Sequence, residues 1–127
     1  MVFDEKRLTM KKHVLLVENE PSHQELIRDA LELGGYSVTI AQNGLEGFEM
    51  LTTTTPCVIV LDLWMPEMSG YAFLEMLHQR NIDASIPIIV ITADAQAEVT
   101  LAHEHLTILV KPFHMSDLTD ALAKHCP

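Results

Sequence analysis

Polar residues capable of acid–base and nucleophilic chemistry stand directly after several short apolar runs of this sequence. Glu18 and Asn19 follow the first run, and Asp62 follows the third. Thr92 follows the fourth run, and Lys111 follows the fifth. If these runs are parallel strands, their carboxyl ends meet at one edge of a sheet, where such sheets bind ligands. Acids, a hydroxyl and an amine gathered there are difficult to explain by packing alone and indicate a functional site.

The residue types in this group suit the transfer of a phosphoryl group. A central carboxylate such as Asp62 can attack phosphorus and form an acyl phosphate. That reaction needs a hard cation on the phosphoryl oxygens, and Mg²⁺ takes oxygen ligands near carboxylates. A hydroxyl and an ammonium group, here from Thr92 and Lys111, can hold the remaining oxygens.

Short apolar runs alternate with helical periodicity and supply the elements that would position these residues. The predicted strands are residues 13–17, 36–41, 57–61, 87–91 and 106–110. The first predicted helix begins at Pro21 and ends at Gly34-Gly35, and the second covers residues 44–52. The third follows a cap at Ser69, and the last two cover residues 95–104 and 116–124. This alternation predicts an α/β fold, a doubly wound five-stranded parallel sheet with helices on both faces.

Apolar residues at three- and four-residue spacing predict which helix faces are buried. In the first helix these apolar residues are Leu26, Ile27, Ala30, Leu31 and Leu33. In the second helix they are Leu45, Phe48 and Leu51.

The composition limits the partners and the location of the protein. The 127 residues, 48% of them hydrophobic, suffice for one domain and leave no room for a second. A formal net charge of −10 makes nucleic acid and anionic membrane surfaces poor partners. No apolar run approaches the roughly 20 residues that cross a bilayer, and residues 1–12 lack the apolar stretch of a signal peptide. We therefore expect a cytoplasmic protein without a nucleic-acid or membrane partner.

The cysteines and histidines are expected to have structural roles only. Cys57 and Cys126 permit one disulfide, but two reduced thiols are favoured in a chain without a secretion signal. His103 and His105 would lie well apart on a helix, so no metal site is expected there.

Four motifs at the ends of the predicted strands resemble the response-regulator receiver family of two-component signalling. They are VENEP (17–21), LDLWMPEMSG (61–70), ITAD (91–94) and VKPF (110–113). Each motif alone is weak, but four in order at the ends of the right strands are specific. The resemblance covers His13 to the C-terminus. It implies a receiver domain over residues 12–127, an N-terminal tail over residues 1–11, and the flavodoxin-like strand order 2-1-3-4-5.

The resemblance also implies a role for each matching residue. Asp62 is expected to be the phosphoacceptor, Thr92 the hydroxyl that moves toward the phosphoryl group, and Lys111 the amine that pairs with it. The implied cofactor is Mg²⁺ alone, and its implied ligands are Glu18, Asn19, Asp62 and the backbone carbonyl of Trp64. The Lys111–Pro112 peptide bond is expected to be cis.

The partners implied by the resemblance are proteins. A histidine kinase or a histidine phosphotransfer protein would donate the phosphoryl group, and an output protein of open identity would sense it through altered contacts. The domain could also be a phosphate sink or a piece of a hybrid kinase. We do not expect this domain to be an enzyme, except that it would catalyse its own phosphotransfer and its own slow dephosphorylation.

The chain departs from the family pattern at three places. Asn19 stands where a second acid is usual, which is expected to cost roughly 1–3 kcal/mol, or about ten- to a hundredfold, in Mg²⁺ affinity. Ile108 replaces an aromatic residue, so the aromatic rotamer change that often reports phosphorylation cannot occur. The stretch between Thr92 and Lys111 is short, which predicts a short or displaced fourth helix. In addition, Trp64 is expected to cover the phosphoryl group and slow its hydrolysis.

Three other functions compete with that of a phosphoaccepting receiver. A pseudo-receiver that binds partners without phosphorylation is favoured by Asn19 and Ile108 and opposed by the intact acid, threonine and lysine. A Mg²⁺ phosphohydrolase would need an acid two residues after Asp62, where Trp64 stands. A flavodoxin-like electron carrier would need a phosphate-binding loop after the first strand, where Glu18 and Glu20 would repel a phosphate.

Overall fold

The computed structural model describes residues 8–9, 12–65, 68–82, 85–97 and 106–126. Within these residues, a central sheet of five parallel strands is accompanied by four helices and by a second sheet of two short strands. The strands of the central sheet are β1 (His13–Val17), β2 (Ser37–Ala41), β3 (Val58–Asp62), β4 (Ile88–Thr92) and β5 (Leu106–Val110). The helices are α1 (Pro21–Leu33), α2 (Gly44–Leu51), α3 (Gly70–Gln79) and α4 (Met115–His125). A separate parallel ladder pairs Leu8–Thr9 with Thr54–Thr55.

The sheet has the order β2-β1-β3-β4-β5, with every neighbouring pair parallel. This result confirms the predicted fold and the predicted strand order. Because β2 and β3 lie on opposite sides of β1, the order reverses next to β1. Doubly wound sheets bind ligands at such a switch point, beyond the carboxyl ends of the strands.

An apolar layer covers each face of the sheet. Along β1, Leu15 and Val17 belong to one layer while Val14 and Leu16 belong to the other. Every residue of β1, β3 and β4 is buried, as predicted for strands covered on both faces. The first layer receives residues of α2 and α3, and the second receives residues of α1 and α4.

The strand and helix bounds agree with the predictions to within one or two residues. The most consequential difference is that β3 and β4 each extend one residue further than predicted, and therefore end with Asp62 and Thr92. Asp62 pairs with Ile91 and Thr92 pairs with Val110 in the sheet. The backbone of both polar residues is therefore fixed by the ladder rather than by a loop.

Three leucines predicted to face the core are exposed. Leu26 and Leu33 of α1 are 60% and 91% exposed, and Leu45 of α2 is 52% exposed. Ile27 and Leu31, four residues apart, form the buried face of α1. At 100° per residue, positions on either side of that pair rotate toward solvent, so the predicted stripe was too wide.

The predicted fourth helix at residues 95–104 falls mostly outside the described residues, which end at Ala97 in that region. His103 and His105 also lie outside them. Among the helices that the structure describes, none combines the length and the apolarity that a membrane crossing requires.

Cys57 and Cys126 form a disulfide, with their Cα atoms 5.5 Å apart. Cys57 immediately precedes β3, and Cys126 caps the carboxyl end of α4. The expectation of two reduced thiols is therefore wrong for this structure. The parallel sheet brings the start of its central strand next to the end of the last helix, a proximity that spacing in the sequence does not reveal.

Candidate functional site

A pocket of about 810 Å³ opens at the carboxyl edge of the sheet. Its lining includes the predicted site residues Asn19, Asp62, Trp64, Thr92 and Lys111. Glu18, the remaining predicted site residue, is buried at the end of β1 within reach of Asp62. The structure thus brings the whole predicted set to one place.

Asp62 is held at the centre of the site and is only 6% exposed. Its Oδ1 atom accepts a hydrogen bond of 3.0 Å from the backbone N–H of Trp64. Its Oδ2 atom lies 3.8 Å from Nζ of Lys111. One oxygen is therefore fixed by the loop after β3, while the other faces the ammonium group of Lys111.

Thr92 and Lys111 are positioned by adjacent strands. The backbone N–H of Lys111 donates a 2.7 Å hydrogen bond to the carbonyl of Thr92. The Thr92 hydroxyl is buried and accepts a 3.0 Å hydrogen bond from the backbone N–H of Asp94. The Lys111–Pro112 bond is cis, as expected.

Glu18 is the most electrostatically perturbed carboxyl group in the described site. It is 1% exposed, and burial, followed by the adjacent charge of Asp62, raises its pKa to about 7. A 3.2 Å hydrogen bond from the backbone N–H of Glu20, together with the nearby ring of His23, opposes this rise. Two buried carboxyl groups side by side make this point of the sheet attractive to a cation.

His23 is a site residue that sequence reasoning missed. Its Nδ1 atom lies 3.3 Å from Oε1 of Glu18. One ligand atom from each of Glu18, His23 and Asp62 falls within 4.8 Å of the others. The available signal was its place in the first turn of α1, which starts at Pro21 directly after the acidic segment.

Gln24 is a second missed residue and holds the loop that carries Glu18. Its buried side-chain NH₂ group donates a hydrogen bond of 2.6 Å to the carbonyl of Glu18 and one of 3.1 Å to Oε1 of Gln42. A buried glutamine inside an otherwise amphipathic helix was the signal for this role, because buried polar groups need partners.

Asn19 and Glu20 lie on the rim of the pocket. Asn19 is half-buried and offers an amide oxygen, a ligand without charge. Glu20 is exposed, and its Oε1 accepts a 3.0 Å hydrogen bond from the hydroxyl of Ser22. Glu20 therefore has a local partner of its own on α1.

Trp64 does not cover Asp62 in this structure. Its side chain is 86% exposed, contrary to the expected shield over the phosphoryl position. The chain turns directly after β3 so that the N–H of Trp64 binds Asp62, and this turn directs the ring to solvent. On the same side of the pocket, Asp94 Oδ2 accepts a 3.0 Å hydrogen bond from the Tyr71 hydroxyl.

The donor set fits a hard divalent cation. The carboxyl groups of Glu18 and Asp62 are buried and close together, and Asn19 lines the same pocket as Asp62. Hard cations select such oxygen ligands. Lys111 lies 3.8 Å from Oδ2 of Asp62 and lines the same pocket, so its ammonium group can pair with an anionic group bound there.

A doubly wound sheet with a buried aspartate, a threonine and a lysine at the carboxyl ends of its strands defines a receiver-type architecture. Residues 14–123 match the response regulator receiver domain family. The chain belongs to that family, whose members are receiver domains of two-component signalling.

Individual relatives support this membership. The chain is 27% identical over 121 residues to sporulation initiation phosphotransferase F of Bacillus subtilis, covering 93% of this chain and 96% of that protein. It is 35% identical over 108 residues to the sensor histidine kinase TmoS of Ectopseudomonas mendocina, covering 83% of this chain. The chain spans only 11% of that kinase, and 47% and 45% of two transcriptional regulators that it also matches.

Solved structures have the same fold. The response regulator TrrA of Thermotoga maritima, in complex with Mg²⁺-BeF, matches with a TM-score of 0.79 at 28% identity, covering 91% of this chain and 98% of TrrA.

Proposed function

We propose that Asp62 accepts a phosphoryl group from a histidine kinase or a histidine phosphotransfer protein, and that the domain signals through altered protein contacts. The observation that carries this proposal is the buried Asp62 carboxylate, with a backbone N–H on one oxygen and Lys111 3.8 Å from the other. The relatives that include a phosphotransferase and a sensor histidine kinase support it. The receiver would occupy residues 12–127, after a tail over residues 1–11, and act in the cytoplasm.

In the proposed reaction, Asp62 Oδ2 attacks the phosphorus of a phosphohistidine. The new O–P bond forms as the N–P bond breaks, and the electron pair of that bond returns to the histidine ring of the donor. Lys111 then pairs with a phosphoryl oxygen, and the Thr92 hydroxyl turns from the N–H of Asp94 to hold another. The movement of Thr92 and Lys111 would change the surface next to β4 and β5.

The proposed cation is Mg²⁺, with Glu18, Asn19, Asp62 and the carbonyl of Trp64 as its protein ligands. When bound, it would neutralise charge on the transferring phosphoryl group. The presence of Mg²⁺ in the TrrA complex supports this assignment.

Intact-mass spectrometry after incubation with a small phosphodonor tests the proposal. The native protein should gain one phosphoryl group in Mg²⁺ and far less when the metal is chelated. Asp62→Asn should gain none, while Asp94→Asn, which changes an exposed acid on the rim, should still be labelled. Full labelling of the Asp62→Asn variant would remove Asp62 from this role.

A pseudo-receiver that binds partners without phosphorylation is the second candidate. The neutral Asn19 at the pocket favours it, because the missing charge weakens the cation site. Absence of labelling in the native protein at saturating Mg²⁺ would favour this second function.

A further inference from the structure

His23 occupies a place where an imidazole nitrogen can join the two buried carboxylates. Its Nδ1 atom is 3.3 Å from Oε1 of Glu18, and one ligand atom from each of these two side chains lies within 4.8 Å of an oxygen of Asp62. Two ligands at right angles, each about 2.1 Å from one ion, are about 3 Å apart. The nitrogen and the Glu18 oxygen already have nearly that separation.

The other two groups are built into the core and cannot turn away. Glu18 is 1% exposed and Asp62 is 6% exposed, and each accepts a hydrogen bond from a backbone N–H of its own loop. The carbonyl of Glu18 is also held by Gln24 at 2.6 Å. The His23 side chain is 47% exposed, so its ring can adjust by the small distance that coordination requires.

The identity of the ligands decides which cation the site prefers. Mg²⁺ is bound by oxygen and gains little from imidazole, whereas first-row transition-metal ions gain affinity from it. The site has lost one oxygen charge at Asn19 and has a nitrogen at His23. The missing charge weakens the binding of any dication, whereas the nitrogen selectively favours the transition-metal ions over Mg²⁺.

We propose that His23 is a direct ligand of the cation bound by Glu18 and Asp62, and that the site therefore prefers a first-row transition-metal dication to Mg²⁺. The inference deepens the proposed function, because it concerns the cation of the same site. It can be tested without phosphorylation, because it concerns only the affinity of the protein for the metal ion.

Co²⁺ and Mg²⁺ titrations of the full chain test the inference. Trp64 is the single tryptophan of the chain and lines the pocket, so its fluorescence reports binding of either ion. His23→Ala removes the nitrogen at a surface position of α1. His78→Ala, in the last turn of α3 and outside the pocket lining, is the matched histidine control.

The native protein and His78→Ala should bind Co²⁺ at least about tenfold more tightly than Mg²⁺. His23→Ala should weaken Co²⁺ binding by about tenfold or more and change Mg²⁺ binding by less than about threefold. The Co²⁺ complex should also show hyperfine-shifted imidazole proton resonances, which His23→Ala loses.

Equal losses for both ions, unchanged Co²⁺ binding, or tighter binding of both ions in His23→Ala would overturn the inference. The last result would show that His23 only pairs with Glu18 and competes with the metal. Labelling of His23→Ala in Mg²⁺ separates the two proposals. Phosphorylation that persists while the Co²⁺ preference is absent leaves the proposed function standing and removes only the metal assignment.

Discussion

The buried carboxyl group of Glu18 couples the stability of the domain to pH. Its pKa of about 7 lies above the unfolded value near 4.5, so the folded state binds the extra proton between these values. In metal-free protein this contribution to stability is full below about pH 4.5 and is lost as pH rises to about 7. The loss should not exceed about 3 kcal/mol.

Glu18→Gln isolates this contribution. His13, whose pKa is lowered by burial, acts in the opposite direction as pH falls, but it is present in both proteins. The free energy of unfolding of the variant, relative to the native protein, should therefore increase as pH rises from about 4.5 to about 7. Denaturant melts at several pH values measure it. A constant difference would mean that Glu18 has an ordinary pKa in the folded state.

In the proposed function, the residue at position 19 is a ligand of Mg²⁺, and its lack of charge should weaken the binding of that ion. Asn19→Asp restores a carboxylate at the half-buried pocket rim and should tighten Mg²⁺ binding by about ten- to a hundredfold. Titration through Trp64 fluorescence measures this change, with Glu20→Gln as a control on the same loop. Unchanged or weaker binding in Asn19→Asp would show that position 19 does not face the ion.

At the scale of elements, the packing of α3 against the loop after β3 holds Asp62 in place. The backbone N–H of Gly70 donates a hydrogen bond of 3.0 Å to the carbonyl of Leu63. A Cβ atom added at Gly70 would overlap the backbone of Leu63. Gly44, the first residue of α2, offers a matched position, since its added Cβ would meet mainly the flexible side chain of Met68.

Gly70→Ala should therefore destabilise the domain by about 1–3 kcal/mol, because the backbone of Leu63 must move. Gly44→Ala should cost less, since Met68 can change rotamer. Chemical denaturation of the two variants compares them directly. Equal losses would show that the loop after β3 accommodates the methyl group.

The elements were predictable from the sequence to the extent that local patterns determine them. The apolar runs placed β1 and β5 at their observed bounds, and Ser69 caps α3 as predicted, accepting a 3.2 Å hydrogen bond from the N–H of Ala72. Local pattern was less informative about which side of a helix meets the sheet. Leu26 and Leu33 suit a buried stripe by type, but the buried face of α1 is the one that carries Ile27 and Leu31, and both leucines are exposed.

The candidate site was predictable where strand ends supply the residues. Parallel topology alone brings Glu18, Asp62 and Thr92 to one edge, so their convergence follows from the strand order. His23 comes from a helix, and its ring reaches Glu18 only because of the direction in which α1 leaves β1. The orientation of Trp64 depends in the same way on a turn that apolar patterning does not encode.

For the whole molecule, the disulfide links the start of the central strand β3 to the end of the last helix, α4. Cys57 and Cys126 are 69 residues apart in sequence, and closing a loop of that length restricts the unfolded chain. The loop-entropy model gives a stabilisation of up to about 4 kcal/mol.

Reduction should therefore lower the free energy of unfolding of the native protein by up to that amount. Cys126→Ser should lower it similarly, and adding reductant to this variant should have no further effect. Equilibrium denaturation with and without reductant measures all four states. Equal stability of the oxidised and reduced native protein would contradict a stabilising role for the disulfide.

We propose that one carboxylate among the 18 acidic residues of the chain accepts the phosphoryl group. Borohydride reduction of the labelled protein converts an aspartyl phosphate into a stable alcohol, and peptide sequencing by mass spectrometry then locates it. We expect modification at Asp62 alone, in the peptide that spans the end of β3. Modification at another acid, with Asp62 intact, would contradict the proposed function.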